Sequence, residues 1–231
     1  MEKRQSGLRH YTNVGFLKMI IGGDQLKFSD ALKSDALTWD DQNDVMTLRL
    51  FYQRKMQNPL VLCFTRAITI HHWEYYGNRS NDDFQDTDKV KCCIVFDDTK
   101  LKNLIDAHIA HGKNMSFRRV QYYSVNKLKL KAIKINEDDL PFIKKYGFTT
   151  DKEERLVYYV NDDTGKPYFL EGINACVKNV TLYVKGEDAE NIFEGIKGEL
   201  IGLYPQLRSK IRKSALCNSK TWQKLIETKS R

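Results

Sequence analysis

The segment from Asp151 to Arg155 contains three carboxylates and an arginine, and it stands just before the apolar run from Leu156 to Val160. Such a group of charges at the start of a strand could bind a sugar or stabilise a cationic reaction intermediate, because carboxylates stabilise developing positive charge. Side chains alternate in extended chain, so Asp151 and Glu153 are expected on the same side. A solvated, salt-bridged edge strand would have the same sequence. The pattern by itself leaves both interpretations open.

Histidines at two places in the chain could also bind a ligand or a metal ion. His10 lies in a short strand-like stretch, where a histidine either binds a ligand or is a satisfied, partly buried side chain. His71 and His72 are adjacent and point apart in any regular element. No third ligand stands at a useful spacing from them, so the sequence predicts no metal site.

Composition indicates a globular protein with a modest basic excess. The chain has 231 residues, 41% of them hydrophobic, and 38 Lys and Arg against 30 Asp and Glu give a formal charge of +8. This length and apolar content suffice for a real core, and a single domain over residues 1–231 is the simplest expectation. The basic segments are either solvated surface or a guide for nucleic acid: Arg118-Arg119, Lys127 to Lys134 and Arg208 to Lys213.

The cysteines indicate a reducing compartment. There are five of them, and Cys63, Cys92 and Cys93 lie inside apolar runs that are typical of buried thiols. A thiolate would be costly there, so cysteine nucleophiles are not expected. The first residues lack the apolar core of a signal peptide, and no apolar run approaches the roughly 18 residues of a membrane span. A cytoplasmic location is therefore expected.

Hydrophobic periodicity and turn signals predict an α+β chain that would position these groups. Strands are predicted at 8–12, 26–29, 60–65, 91–96, 118–125, 155–160 and 177–184. The turn signal at 162–165 predicts that 167–170 returns as a hairpin partner. Helices are predicted at 14–23, 45–56 (ended by Pro59), 71–76, 98–111, 138–146, 189–203 and 214–226. Trp39-Asp-Asp41 either caps the second helix or shapes a cleft.

Short landmarks run through nearly the whole chain in order: His10-Tyr-Thr12, Trp39-Asp-Asp41, Leu62-Cys-Phe-Thr65, Trp73-Glu-Tyr-Tyr76, Val120-Gln-Tyr-Tyr123, Phe148 with Asp151 to Arg155, and Ile211-Arg-Lys-Ser214 with Trp222. Together they resemble a bacterial and phage family that is catalogued as a domain of unknown function. Each motif is short, and the resemblance rests on their order and spacing.

A more distant resemblance carries a function. The opening His-Tyr-Thr strand, the helix closed by Gly22-Gly23, a central aromatic residue and the late glutamate at a strand entrance are similar to the ADP-ribosyltransferase superfamily, including its DNA-modifying toxin branch. That resemblance implies a split β-sandwich with flanking helices and NAD bent in a cleft. The site residues that it implies are catalytic Glu153, His10 and Tyr76, and NAD-binding His10, Tyr11, Thr12, Tyr75 and Arg155.

Some of these assignments stay open in the sequence. The nicotinamide ring could stack on Trp73, Tyr75 or Tyr76, all of which could equally fill a core or an interface. Arg155 could instead be a structural partner of Asp151 or Asp40. The sequence has no Gly-rich phosphate loop, so it does not identify the group that would bind the pyrophosphate.

The resemblance implies NAD as a substrate and an enzyme of the transferase, or glycosyltransferase, class. Cleavage of the nicotinamide glycosidic bond develops positive charge on the ribose, which a carboxylate such as Glu153 would stabilise. The acceptor would be DNA, RNA, protein or water, in a toxin or in antiviral defence. Two alternatives differ in class: a non-catalytic module that binds nucleic acid or a partner protein, and a metal-independent nuclease using His10, Asp40, Asp41 and Glu153.

Overall fold

The computed structural model describes residues 7–30, 32, 42–68, 72–73, 85–124, 126, 134–161 and 166–215. The chain divides into two compact units: the first is Met1–Leu8, Asp24–Ala67 and Asp98–Cys176, and the second is Arg9–Gly23, Ile68–Asp97 and Val177–Arg231. Both contain helices and mostly antiparallel strands, which confirms the predicted α+β class. Among the described helices, none is long and apolar enough to cross a membrane.

Within those ranges the α-helices are α1 (Val14–Gly23), α2 (Gln42–Lys55), α3 (Asp98–Ala110) and α4 (Ala189–Leu203). The strands are β1 (Leu8–Asn13), β2 (Gln25–Lys27), β3 (Ser29–Asp30), β4 (Asn58–Thr65), β5 (Lys91–Phe96), β6 (Met115–Arg119), β7 (Gln121–Tyr123), β8 (Ile143–Lys145), β9 (Glu153–Val160), β10 (Phe169–Glu171), β11 (Val177–Tyr183) and β12 (Ile211–Lys213). Short 3₁₀ helices span Glu137–Phe142, Tyr146–Asp151, Ile173–Cys176 and Pro205–Leu207.

Several predicted features lie outside the described residues. They are Trp39-Asp-Asp41, the tyrosines Tyr75 and Tyr76, the turn at 162–165, nearly all of the basic run 127–134, and the tail helix 214–226 beyond its first two residues. The single-domain expectation stays a prediction.

In the first unit, strand β9 lies in the middle of a sheet. It pairs antiparallel with β4 on one side and β6 on the other, and β3 pairs with β4. Leu156 and Val157 are consecutive and both fully buried, so both faces of β9 are covered. Such a strand reads as a continuous apolar run because neither face meets water. On one face, Phe51 of α2 packs against Tyr159 with ring centroids 5.2 Å apart.

The predicted hairpin partner of β9 pairs elsewhere. Strand β10 is antiparallel to β2, with Leu170 opposite Leu26, and both of these leucines are buried. The Phe28 N–H extends this pairing by donating to the Tyr168 carbonyl at 2.9 Å. The hairpin prediction was therefore wrong, because burial of the two leucines decides the pairing and the turn signal does not.

The predicted helix at 138–146 is also wrong. Pro141 lies within this segment, and a proline lacks the N–H that an α-helix needs. The chain instead forms the 3₁₀ helix Glu137–Phe142 and then β8, which pairs parallel with β7. The predicted strand 118–125 is divided into two shorter strands, β6 and β7. Val120 donates its N–H to the Glu153 carbonyl at 3.0 Å, and the chain then leaves β9 to pair with β8.

Helix α2 ends before the proline that was predicted to end it. Met56 has a left-handed φ of 55°, and its N–H donates to the Tyr52 carbonyl at 2.8 Å. This is a left-handed helix cap formed by a residue other than glycine. Pro59 lies within β4, so its predicted role was wrong.

We expect Met56→Gly to stabilise the protein by up to about 1 kcal/mol, because glycine adopts a positive φ without the steric cost that a side chain carries. Urea unfolding followed by circular dichroism measures the change. Met46→Gly, at an exposed position inside the same helix, is the control and should destabilise by about 1 kcal/mol. Equal effects of both substitutions would contradict the cap assignment.

In the second unit the sheet order is β12, β11, β5, β1, with β11 antiparallel to β5 and parallel to β12. The aromatic cluster of Tyr11, Trp73 and Tyr183 packs with Cys93 and Val95 in its core. Helices α1 and α4 and strands β5 and β11 lie close to where periodicity predicts them. Strand β12 takes up part of the predicted basic run.

The thiols differ in burial. Cys92 and Cys93 are buried, as expected, but Cys63 is exposed. On the same side of β4, Leu48 of α2 packs against Val61. That cover does not extend two residues further to Cys63, so the predicted burial of Cys63 was wrong.

Candidate functional site

Four charged side chains meet inside the first unit, at the entrance to β9. Lys144 Nζ lies 2.8 Å from Glu153 Oε2 and 3.3 Å from Asp151 Oδ2, and Arg155 Nε binds Glu153 Oε1. Glu153 is 5% exposed and Arg155 is 0% exposed. We call Lys144, Asp151, Glu153 and Arg155 the buried ionic cluster. Its two carboxylates and two cations balance, which is what burial of charge requires.

Local backbone geometry brings the two carboxylates to one cation. Asp151 ends a 3₁₀ helix, Lys152 takes a left-handed φ of 44°, and Glu153 then opens β9. The Glu153 N–H donates to the Tyr122 hydroxyl at 3.0 Å. Asp151 and Glu153 therefore meet Lys144 through a turn and not, as the sequence suggested, through continuous extended chain.

Arg155 is a structural partner of Glu153. Besides that ion pair, it donates from Nη1 to the Pro141 carbonyl at 2.8 Å. The sequence left Asp151 and Asp40 as its possible partners, and Asp40 is outside the described residues. The guanidinium ties the entrance of β9 to the 3₁₀ helix Glu137–Phe142.

The charge state of Glu153 follows from its neighbours. Burial by itself would raise the pKa of this carboxyl, but the positive charges of Arg155 and Lys144 outweigh burial and lower the pKa to about 2. Glu153 is thus ionised at neutral pH. Each of its oxygens is bound to a cation, so a substrate could reach the carboxylate only after Lys144 moves away from Oε2.

The lowered pKa predicts a dependence of stability on pH. The pKa falls from 4.5 to about 2, so the folded state binds fewer protons than the unfolded state between these values. The ion pairs of Glu153 then contribute fully above pH 4.5, and about 3 kcal/mol is lost as pH falls towards 2. Urea unfolding from pH 2 to 6 should show a gap between wild type and Glu153→Gln that shrinks at low pH. A constant gap would contradict the pKa assignment.

A second group of charges lies beside the first and is more open to solvent. Glu154 Oε1 is 2.5 Å from Arg66 Nε and 3.6 Å from Arg119 Nε, and Arg66 Nη1 lies 2.5 Å from Asp98 Oδ2. The side chain of Arg119 is 81% exposed, and that of Arg66 is 33% exposed. We call Arg66, Asp98, Arg119 and Glu154 the outer ionic cluster.

Sequence reasoning missed this outer ionic cluster, although strand alternation held a signal for it. Consecutive residues of a strand face opposite sides, so Glu153 and Glu154 cannot share a site. Glu153 and Glu154 could each meet a substrate, but on opposite faces of the sheet. In the outer ionic cluster, Asp98 also accepts a hydrogen bond from the Leu8 N–H at 2.9 Å.

The proposed NAD-binding residues of β1 lie in the second unit. His10 is partly buried, whereas Tyr11 and Thr12 are buried. The Tyr11 ring contacts Trp73 edge to face at 4.9 Å, and burial raises the pKa of its hydroxyl. Of these three residues, His10 has the side chain with the most access to solvent.

The central aromatic position is resolved for one of its three candidates. Trp73 stacks on Tyr183 with ring centroids 5.1 Å apart, and it is 2% exposed. It is therefore a core residue of the second unit. Tyr75 and Tyr76 are outside the described residues, so their assignment stays a prediction.

Metal ligation has no support in the part of the chain that the structure describes. There, no group of three or more His, Cys, Asp or Glu side chains could hold a metal ion.

No protein-family model matches the sequence, and no curated protein is similar to it. Two solved structures are similar over most of the chain. "Thermus sp. 2.9 DarT in complex with NAD+" has a TM-score of 0.36 at 11% identity, over 90% of this chain and 94% of that chain. "Thermus sp. 2.9 DarT in complex with ADP-ribosylated ssDNA" has a TM-score of 0.38 at 11% identity, over 94% of this chain and 95% of that chain. TM-scores below 0.5 do not establish a common fold, so the ADP-ribosyltransferase relationship stays a proposal.

Proposed function

We propose that the chain is an ADP-ribosyltransferase-like enzyme with a split β-sandwich fold, which consumes NAD and transfers ADP-ribose to a macromolecule or to water. One observation carries the proposal: at the entrance of β9 the carboxylate of Glu153 lies between Lys144 and Arg155, whose charges lower its pKa and keep it ionised. An oxocarbenium ion on the ribose needs such a fixed negative charge, because the bond to nicotinamide breaks with positive charge on the sugar.

Movement of Lys144 is the step that this proposal requires. Its Nζ lies 2.8 Å from Glu153 Oε2, while Arg155 Nε binds the other carboxylate oxygen, Oε1. Withdrawal of Lys144 would free one oxygen for a ribose hydroxyl and leave the carboxylate oriented by Arg155. The sequence resemblance implies further NAD-binding residues, which stay proposals: His10, Tyr11 and Thr12 of β1, and Tyr75 or Tyr76.

The test is release of nicotinamide from NAD that carries a label on the adenylate group. The purified chain is incubated with this NAD and, in separate reactions, with DNA, RNA, protein extract or buffer alone. We expect nicotinamide release, with the label on one acceptor class or in free ADP-ribose. Absence of release in every reaction would overturn the proposal. If nicotinamide is released, expression of the chain in cells tests a role as a toxin or in phage defence.

A non-catalytic binding module is the second candidate, and a specific observation favours it. Both carboxylate oxygens of Glu153 are bound to buried cations, as in a purely structural cluster. Exposed Arg119 and the basic strand β12 would then contact nucleic acid through its phosphates. This candidate predicts DNA or RNA binding that weakens steeply with salt and does not change with NAD. Cleavage of the nucleic acid without NAD in the same reactions would instead indicate the metal-independent nuclease.

A further inference from the structure

Strands β7 and β8 form a two-stranded ribbon that makes two contacts with Glu153. Tyr122 of β7 and Lys144 of β8 are partners in the parallel register, so their side chains leave the ribbon on the same side. Lys144 Nζ lies 2.8 Å from Glu153 Oε2, and the Tyr122 hydroxyl accepts a hydrogen bond from the Glu153 N–H at 3.0 Å. One contact therefore holds the carboxylate, and the other holds the backbone of the same residue.

The backbone of Glu153 is fixed at both of its polar groups. Lys152 turns the chain with its left-handed φ of 44°, and the Glu153 N–H then donates to the Tyr122 hydroxyl. The Glu153 carbonyl accepts a hydrogen bond from the Val120 N–H at 3.0 Å. Both contacts come from one short segment, 120–122. This segment therefore sets the direction in which the Glu153 side chain leaves β9.

The Tyr122 hydroxyl is neutral and does not compete with a substrate for the carboxylate. Burial raises the pKa of this hydroxyl to about 12, so it keeps its proton at neutral pH. It binds the Glu153 N–H, whereas the carboxylate oxygens are bound by Arg155 and Lys144. Withdrawal of Lys144 from Oε2, which the proposed reaction requires, does not break the contact with Tyr122.

We infer that Tyr122 is a positioning residue of the candidate site, whose hydroxyl keeps Glu153 aligned with Arg155 after Lys144 has moved away. This inference rests on the proposed function, because positioning affects a rate only if the chain cleaves NAD. A carboxylate that is free to swing would stabilise positive charge less well, since such stabilisation depends on a fixed geometry.

Tyr122→Phe removes the hydroxyl and keeps the ring, and Tyr123→Phe is its matched control. The Tyr123 hydroxyl donates to Gln121 Oε1 at 2.6 Å, so the control also loses one hydroxyl hydrogen bond of β7. With labelled NAD, Tyr122→Phe is expected to lower kcat about ten-fold with little change in KM, whereas Tyr123→Phe should keep the wild-type kcat. Melting curves show that rates are compared in folded protein. A wild-type kcat in Tyr122→Phe would overturn the inference and leave the proposed function intact.

A double variant separates positioning from a general loss of structure. If Tyr122 acts through Glu153, Tyr122→Phe should cause no further loss of nicotinamide release in the Glu153→Gln background. An equal loss in both backgrounds would show that the hydroxyl acts independently of Glu153, and the inference would then be wrong.

Hydrogen exchange of the Glu153 amide, followed by NMR, tests the contact without any reaction. This amide should be protected in the wild type and should exchange at least about ten-fold faster in Tyr122→Phe, but not in Tyr123→Phe. Unchanged exchange in Tyr122→Phe refutes the inference. An unprotected amide in the wild type does the same, even if Tyr122→Phe does not fold. If the wild type releases no nicotinamide, the proposed function fails, and the catalytic role of Tyr122 fails with it whatever the exchange rates show.

Discussion

Glu153→Gln is expected to lower nicotinamide release from NAD by at least about 100-fold, because glutamine cannot supply the negative charge that stabilises an oxocarbenium ion. The swap preserves the size of the side chain and changes its charge. Initial rates with labelled NAD, at concentrations below and above KM, measure the effect. We expect the loss mainly in kcat, since the charge acts in the transition state.

The buried position of Glu153 complicates this experiment in a way that the sequence did not reveal. From sequence alone, the nearly isosteric change to glutamine is expected to leave the fold intact. The structure shows that it would leave Lys144 and Arg155 with Asp151 as the remaining carboxylate of the buried ionic cluster. Some loss of stability is therefore expected as well. Rates must be compared well below the melting temperature of the variant.

Two further variants make the result specific. Glu171→Gln, at an exposed position of β10, is the matched control and should release nicotinamide at the wild-type rate. Glu154→Gln tests the carboxylate on the opposite face of β9. If Glu154→Gln abolishes release and Glu153→Gln does not, the assignment of Glu153 is wrong but the proposed enzyme stands. Wild-type rates in both variants would refute catalysis at this strand.

Lys144→Met is expected to destabilise the protein by about 3 to 5 kcal/mol, because it leaves the two buried carboxylates Asp151 and Glu153 with one cation fewer to offset their charge. Lys144 contacts both Asp151 and Glu153, and its side chain is 6% exposed. Methionine preserves most of the side-chain volume, so the effect reports lost charge and not an empty space. Urea unfolding at pH 7, followed by circular dichroism, gives the change in free energy.

The neighbouring residue gives a sharp control. Lys145 is on the same strand but exposed, so Lys145→Met should change stability by less than about 0.5 kcal/mol. The double variant Lys144→Met with Glu153→Gln removes one charge of each sign. Its loss of stability should be smaller than the sum of the two single losses by about 1 to 3 kcal/mol. Additive losses would show that Lys144 and Glu153 are not coupled.

Sequence reasoning succeeded where neighbouring residues decide the structure. The period of α1 and α4 and the apolar run of β5 follow from local sterics and from one buried face. The predicted stop at Gly22-Gly23 is right in position only, because both glycines lie within α1 and Asp24 takes the left-handed φ of 52° after it. Sequence reasoning failed for the predicted helix at 138–146 and for the predicted hairpin partner at 167–170. At the first, Pro141 outweighed a helical pattern, and at the second, β10 buried Leu170 against β2.

Residue order is enough to predict that charged residues precede an apolar strand, and that Glu153 and Glu154 face opposite sides of it. Both facts depend on residue order and on the two-residue period of a strand. Which charges form ion pairs depends on how the strands are arranged in space. Lys144 reaches Glu153 because β8 and the turn at Lys152 place it there, and Arg66 reaches Glu154 because the chain continues beyond β4, the neighbour of β9. Ion pairs form between groups that strand pairing brings together, and no local pattern encodes that pairing.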